Sequence, residues 1–296
     1  MKKYKEVPDL MEKINGNRNE KNGVTFLTFP LLERQGVFHA FSTRLGGVSQ
    51  GDLASMNLSF SRGDDVECVR ENHRRFAAAV GYEVRQLVLS DQIHETHVCR
   101  VDASDCGKGV VRESDLIGVD GLMTDDPGVV LMTFFADCVP LFFWDRKNRA
   151  AALSHAGWRG TVSGIGAITV ERMRQEFGTE PDNLFVVVGP SIGSSCYEVS
   201  TDVAEKFFEN EVLKSDPDIL SQILYQKPEQ KESGKFQLDL WLANKEILIH
   251  AGIPADQIEI SGLCTCCHSD WLFSHRASKG RRGNLAGVIS PMRAHR

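Results

Sequence analysis

At 296 residues, 42% of them hydrophobic, the chain can bury a substantial core as one large domain. A formal net charge of -6, with only short basic clusters, argues against a nucleic-acid-binding protein, which needs a basic surface to displace counterions from phosphates. The start "MKKYKEV" leads into polar sequence without an apolar h-region, and the apolar stretch Val129 to Trp144 is shorter than the roughly 20 residues of a spanning helix, so neither secretion nor membrane insertion is expected.

In chain order, residues 1–23 read as a polar N-terminal extension and 24–296 as one domain, without repeats or a linker. "VTFLTFP" and "GVFHAFST" are predicted strands. "DDVECVRENHRRFAAAVG" is a predicted helix capped by Asp64 or Asp65 and stopped by Gly81, with Val66, Val69, His73, Phe76 and Val80 along its apolar face. His73 on that stripe reads as a core histidine. "QLVLSDQIHETHVCRV" reads as strand, polar turn, strand. "GVVLMTFFADCVPLFFW" and "AAALSH" supply central strands, and "TVSGIGAITVERMRQEFG" a helix just after a Gly-Trp-Arg-Gly turn. "NLFVVVGPSIG" is a strand entering a loop. "TDVAEKFFEN" and "FQLDLWLANKEILIHAG" are predicted helices, and "QIEISG" and "LAGVIS" closing strands. This alternation implies an α/β or mixed α+β layered sandwich.

A carboxylate inside a doubly buried strand run costs several kcal/mol or so unless it is paired, so Asp137 and Cys138 within "FFADCVPLFF" mark a candidate site. His94, Cys138 and His155 are borderline-soft metal ligands at strand ends or turns. Together they would make a His₂Cys set, leaving a fourth position for water on a catalytic zinc. Blue copper also uses His₂Cys. A multicopper oxidase needs a further three-copper cluster rich in His-x-His pairs, and none of the nine histidines forms such a pair. Multicopper oxidase chemistry is therefore disfavoured, while Cys138 could still be only a core cysteine. Eight cysteines without a secretion signal read as free thiols or metal ligands in a cytoplasmic protein. Cys264, Cys266, Cys267 and His268 lack the separated second ligand pair of common zinc modules, and structural zinc is not expected there. Ser274-His275-Arg276 reads as a strand-to-loop transition where an arginine could grip an anion, and Arg44 stands similarly ahead of a Gly-Gly turn.

The motifs "FSTRLGGVS", "MNLSFSRGDD", "ENHRRF", "DQIH", "DGLMT", "ADCVPLFF", "SHAGWRG", "VGPSIG", "CYEV" and "FSHR" together resemble the YfiH/YlmD-like family. It is also called the polyphenol oxidase or laccase-domain family, and more recently purine nucleoside phosphorylases and peptidoglycan editing factors. The resemblance runs from about Gly36 to Ile289. It implies a single-domain mixed α/β sandwich with mixed sheets flanked by helices, similar to the catalytic domain of cytotoxic necrotizing factors. It also implies zinc on His94, Cys138 and His155, phosphate-dependent cleavage of adenosine, inosine and methylthioadenosine, and adenosine deamination. Glu95 follows the first ligand histidine where many relatives have Gly, and Cys266 stands where an aromatic residue is common.

For that chemistry Asp137 is the nearest general acid/base, set against its reading as a buried acceptor of backbone hydrogen bonds. Arg44, Arg159 and Arg276 are the phosphate candidates, with Asn57 and Ser274 as polar partners. The expected partners are purine nucleosides and phosphate. Two rivals remain: a hydrolase or editing factor using Cys138 as nucleophile and His155 as base on cell-wall precursors, and a non-catalytic zinc-binding protein.

Overall fold

The computed structural model describes residues 15–230 and 233–293. Two six-stranded mixed sheets carry the fold. The first runs from edge to edge through Asn17–Lys21, Val24–Thr28, Val37–Ser42, Leu285–Arg293, Val130–Phe135 and Leu87–Leu89. The second runs through Ile258–Ile260, Leu184–Val188, Val139–Asp145, Ala150–Ala156, Gly121–Thr124 and Val98–Arg100. Glu198–Ser200, Lys235–Leu238 and Leu224–Tyr225 form a small third sheet. The mixed α/β single domain expected from the sequence is the architecture found. Residues 1–14 of the polar extension lie outside the described residues. The strand Asn17–Lys21 pairs with Val24–Thr28, so the first sheet begins before residue 24.

The alternation along Val139–Asp145 explains the layering. Phe142 and Trp144 face a cluster shared with Phe41, Leu131, Phe135 and Ile289 of the first sheet, whereas Leu141 and Phe143 face the opposite way. On that far side they join Met173 of helix Ile165–Phe177 and Ile247 and Leu248 of helix Leu240–His250. The first sheet's outer face is covered by helix Val66–Val80, through Phe76, Ala77 and Ala79 against Val130 and Met132. A strand with both faces buried has no polar side of its own, which is why its sequence reads as an unbroken apolar run.

Helix Val66–Val80 is capped by the Asp65 carboxylate on the Glu67 N–H (2.8 Å) and ends at Gly81, whose φ of 103° is open to glycine. His73 is fully buried and bonds the Leu58 carbonyl, as a core histidine should. Val66, the first residue of the helix, departs from the expected stripe and is 48% exposed. "FQLDLWLANKEILIHAG" divides: Lys235–Leu238 is a strand, and Asp239 caps the helix that begins at Leu240 by accepting from Leu242 N–H (2.9 Å). The Gly-Trp-Arg-Gly stretch is no turn before a helix. Gly157 is an N-cap, Trp158–Val162 is a short helix, and Gly164 in the left-handed region breaks it from Ile165–Phe177.

The site-forming feature is how the chain passes between sheets. Leu87–Leu89 and Val130–Phe135 are parallel neighbours in the first sheet, so the segments that follow them leave at the same end. Each crosses to the second sheet, the first through residues 90–97 and the second through Ala136-Asp137-Cys138. Between the two sheets Phe142 has no exposed surface, its ring 5.4 Å from that of Phe29. Phe142→Ala should lower unfolding free energy by about 3–5 kcal/mol in urea titration, and a loss below about 1 kcal/mol would show that the inter-sheet core does not close around this side chain.

Candidate metal centre

His94 and Cys138 stand one on each crossing, and His155 stands near the end of Ala150–Ala156. Their ligand atoms all lie within 4.8 Å of one another, a spacing that could hold a metal ion. The register accounts for two of the three. Val139 pairs with Ala156 and Pro140 with His155, so Cys138 falls opposite Gly157. A Cβ on Gly157 would stand 3.1 Å from Cys138 Sγ and 3.2 Å from His94 Cδ2, close enough to push both donors by a few tenths of an ångström. His94 and Asp137 both adopt left-handed backbone, φ 66° and 82°, an uncommon state for residues with a Cβ that collects at functional sites.

Asp120 assembles the group. It lies at the start of Gly121–Thr124, beside Ala150–Ala156, and is fully buried. Its Oδ1 accepts from His155 Nδ1 (2.9 Å) and from His94 N–H (3.0 Å), and its Oδ2 from the N–H groups of Ile93 (3.1 Å) and Glu95 (2.8 Å). One carboxylate therefore holds both the histidine ring and the loop that carries the other histidine. Burial alone would raise the Asp120 pKa; the bonds from His155 and the backbone outweigh it and keep the carboxyl below its usual range. The "DGLMT" motif contained this residue, but an aspartate preceding a strand carries no mark of its partners.

The same balance governs the neighbouring pair. Burial would raise the Cys138 thiol, yet the charge on His155 and hydrogen bonds from His155 and His94 hold it down to about 6. Burial would lower His155, but the Cys138 thiolate and Asp120 lift it to about 9. Thiolate and imidazolium support each other.

These residues open onto a cavity of about 860 Å³. Asp137 lines it, but its carboxylate is engaged on both oxygens, accepting from Thr265 Oγ1 (2.6 Å) and from Arg276 N–H (2.6 Å). It acts as an acceptor tying two segments together and does not stand free. Arg159 lines the cavity with its guanidinium over the Trp158 ring. Arg276 also lines it, yet donates to the Cys196 and Glu198 carbonyls (3.2 and 3.0 Å).

Three expected contacts are absent. Arg44 is held away from the cavity by the Ala54 and Ser269 carbonyls (both 2.9 Å) and by the Phe273 ring beneath it. Asn57 is fully buried and organises its own loop through Asp64 (2.8 Å), Ser59 and Asn284. Ser274 caps the short helix His275–Ser278, where a strand-to-loop transition was expected.

In their place stand Arg62 and Arg282, which sequence reasoning passed over. Both line the cavity, and among the described residues neither forms a salt bridge. Arg282 Nε is buried with no partner, while one terminal nitrogen donates to Asn284 Oδ1. Burial, and then the like charge of Arg62, lower its pKa to about 10. Two half-buried guanidinium groups side by side without a carboxylate salt bridge mark a place for an anion.

A family model described as "Multi-copper polyphenol oxidoreductase laccase" matches residues 38–291. The chain is similar to a "Purine nucleoside phosphorylase" of Bacteroides thetaiotaomicron, at 36% identity over 255 residues, covering 86% of this chain and 91% of that protein. It is similar to "Purine nucleoside phosphorylase YlmD" of Bacillus subtilis, at 34% identity over 255 residues, covering 86% and 88%. The crystal structure of Bacillus licheniformis hypothetical protein YfiH superposes with a TM-score of 0.84 at 32% identity, covering 92% of this chain and 98% of that one.

In metal-free protein, the rate of Cys138 alkylation should follow a titration centred near about 6. In His155→Ala the midpoint should move up toward an ordinary thiol, because the stabilising cation is gone. An ordinary midpoint in the unmodified protein would contradict the paired thiolate.

Proposed function

The chain belongs to the laccase-domain family of YfiH/YlmD-like proteins, and from that premise we propose that it is a zinc-dependent purine nucleoside phosphorylase. Its relatives' naming supports an enzyme that takes a nucleoside and phosphate. The observation that carries the reading is the shared cavity: His94, Cys138 and His155 line the same space as Arg62 and Arg282, two arginines without a salt-bridge partner among the described residues.

The donor set fits one zinc ion better than copper clusters. It offers two imidazoles and one thiol, with an Asp120 carboxylate behind one imidazole, as metal-ligating histidines have. A multicopper oxidase would require further histidine-rich sites, and the other His/Cys group found among the described residues is built from cysteines alone. Zinc held by His94, Cys138 and His155 would supply a Lewis acid at the cavity wall.

The chain's own residues do the rest. Asp120 takes the Nδ1 proton of His155 as a hydrogen bond, which fixes the tautomer and leaves Nε2 as the other ring nitrogen. Arg282, Arg62 and Arg159 hold phosphate against C1′ of the ribose. A phosphate oxygen forms the new bond to C1′ as the bond from C1′ to the base breaks; the electron pair leaves with the base, which then takes up a proton. The products are free base and ribose 1-phosphate. Adenosine, inosine and methylthioadenosine are the proposed substrates. Adenosine deamination, in which water replaces the amino group and ammonia leaves, is proposed for the same cavity.

A second reading is favoured by one observation: Cys138, His155 and Asp120 also form the line of an activated thiol nucleophile, suited to a hydrolase acting on cell-wall precursors. In the phosphorylase reading, Cys138 of the zinc-loaded protein resists alkylation until metal is withdrawn. In the hydrolase reading, it reacts at once.

With inosine as substrate, base release should rise and saturate with phosphate, and ribose 1-phosphate should appear in equal amount. Arg282→Gln should raise the apparent KM for phosphate roughly 10- to 100-fold, the worth of a charged hydrogen bond. Base release at the same rate without phosphate, giving free ribose, would overturn the proposal.

A further inference from the structure

The cysteines at 264, 266 and 267 lack a separated partner in the sequence, and the fold supplies one. Cys196, 71 positions away, brings its sulfur to 3.4 Å from that of Cys267. The sulfurs of Cys196, Cys264 and Cys267 all lie within 4.8 Å of one another. His268, the other ligand type in this stretch, stays outside the group, its ring packed on Trp271.

We propose that Cys196, Cys264 and Cys267 form a second metal site, built for a thiophilic cation such as Zn²⁺ and separate from the His94, Cys138 and His155 group. Three features carry the assignment. First, the sulfur spacing brackets the edge of a tetrahedral thiolate site, about 3.8 Å for Zn–S bonds near 2.3 Å. Second, Cys264 and Cys267 are a Cys-x-x-Cys pair closed as a metal-binding turn: the Cys267 N–H points to the Cys264 sulfur at 3.5 Å. The Gly193 N–H reaches the same sulfur at 3.2 Å. Cys264 is fully buried, and burial pushes its thiol up; the two backbone donors offset part of that, and they point at the sulfur as they would at a metal-bound thiolate. Third, Cys267 is exposed and Cys196 half-buried, so an ion can enter from solvent and a fourth position is open to water.

The site would brace one wall of the cavity. Its two limbs are the loop 193–197 and the turn 264–267, joined by Thr265 N–H to the Ser191 carbonyl (3.0 Å). The first limb carries the cavity residue Tyr197, and Arg276 bonds its Cys196 carbonyl; the second ties Asp137 through Thr265. Three thiolates on a divalent ion leave one net negative charge, and Arg276 lies against the same loop to meet it.

The test uses the full chain as Cys138→Ser, which removes the first group's thiol, titrated with Cd²⁺ under reducing conditions. Thiolate-to-cadmium charge-transfer absorbance reports sulfur ligation without any assay of activity. About one equivalent should bind with the absorbance of three thiolates. Adding Cys267→Ser, at an exposed position the fold tolerates, should weaken Cd²⁺ binding at least roughly 100-fold and remove about a third of the absorbance. Cys196→Ser should do the same, and both variants should keep the urea midpoint of the metal-free parent. The proposal is overturned if Cys138→Ser shows no sulfur-ligated Cd²⁺, or if Cys267→Ser and Cys196→Ser bind as the parent does. It is equally overturned if freshly purified protein carries a disulfide among these cysteines and takes up no Cd²⁺ after reduction, because the cluster is then a redox pair.

Discussion

One buried carboxylate holds the candidate site together. Asp120 has no water to solvate it, so its charge is tolerable only while its four hydrogen bonds are made. Three of those bonds come from successive backbone N–H groups of the His94 loop and the fourth from the His155 ring. Removing any of them leaves a buried charge undersatisfied, so the loop and the ring are fixed by the same desolvation penalty. The left-handed backbone of His94 is held by this cradle.

The fold places that carboxylate where it can act. Two parallel neighbours in the first sheet send the chain across to the second sheet at one end, so the His94 loop and the Asp137-Cys138 crossing meet there. Antiparallel pairing then sets His155 beside Cys138, and pairing on the other side sets Asp120 beside His155. The close approach succeeds because position 157 has no side chain. Arg62, Arg159, Arg276 and Arg282 line the cavity with Cys138 against two carboxylates, Asp91 and Asp137, so it pairs a soft donor set with a surplus of positive charge. That combination suits a substrate bringing both a polar organic group and an anion.

Much of the sheet framework was legible in the sequence, and so were Cys138 and His155, because polar residues at the interruptions of a doubly buried apolar run need a partner; His94, in a polar turn, stood out only as a ligand type. The arginines were less legible. Arg44 precedes two glycines, as an anion-binding turn would, but nothing local says that the Ala54 and Ser269 carbonyls claim its guanidinium. Arg62 and Arg282 sit in ordinary polar segments, and their convergence depends on contacts 218 and 220 positions apart. Asp120 and Cys196 share that difficulty, since each matters through partners distant in the chain. The helix at Trp158 was masked because glycine at both ends of "GWRG" imitates a turn, whereas Gly157 caps a helix.

The central claim is that Asp120 organises a metal-binding group, and the zinc affinity of Asp120→Asn tests it most directly. Asparagine keeps the size and one acceptor oxygen but loses the charge and the second acceptor. Measured by competition with a chelating dye, zinc at the His94, Cys138 and His155 group should bind roughly 10- to 100-fold more weakly than in the unmodified protein, with the fold intact by circular dichroism. Unchanged affinity in a folded Asp120→Asn protein would contradict the account.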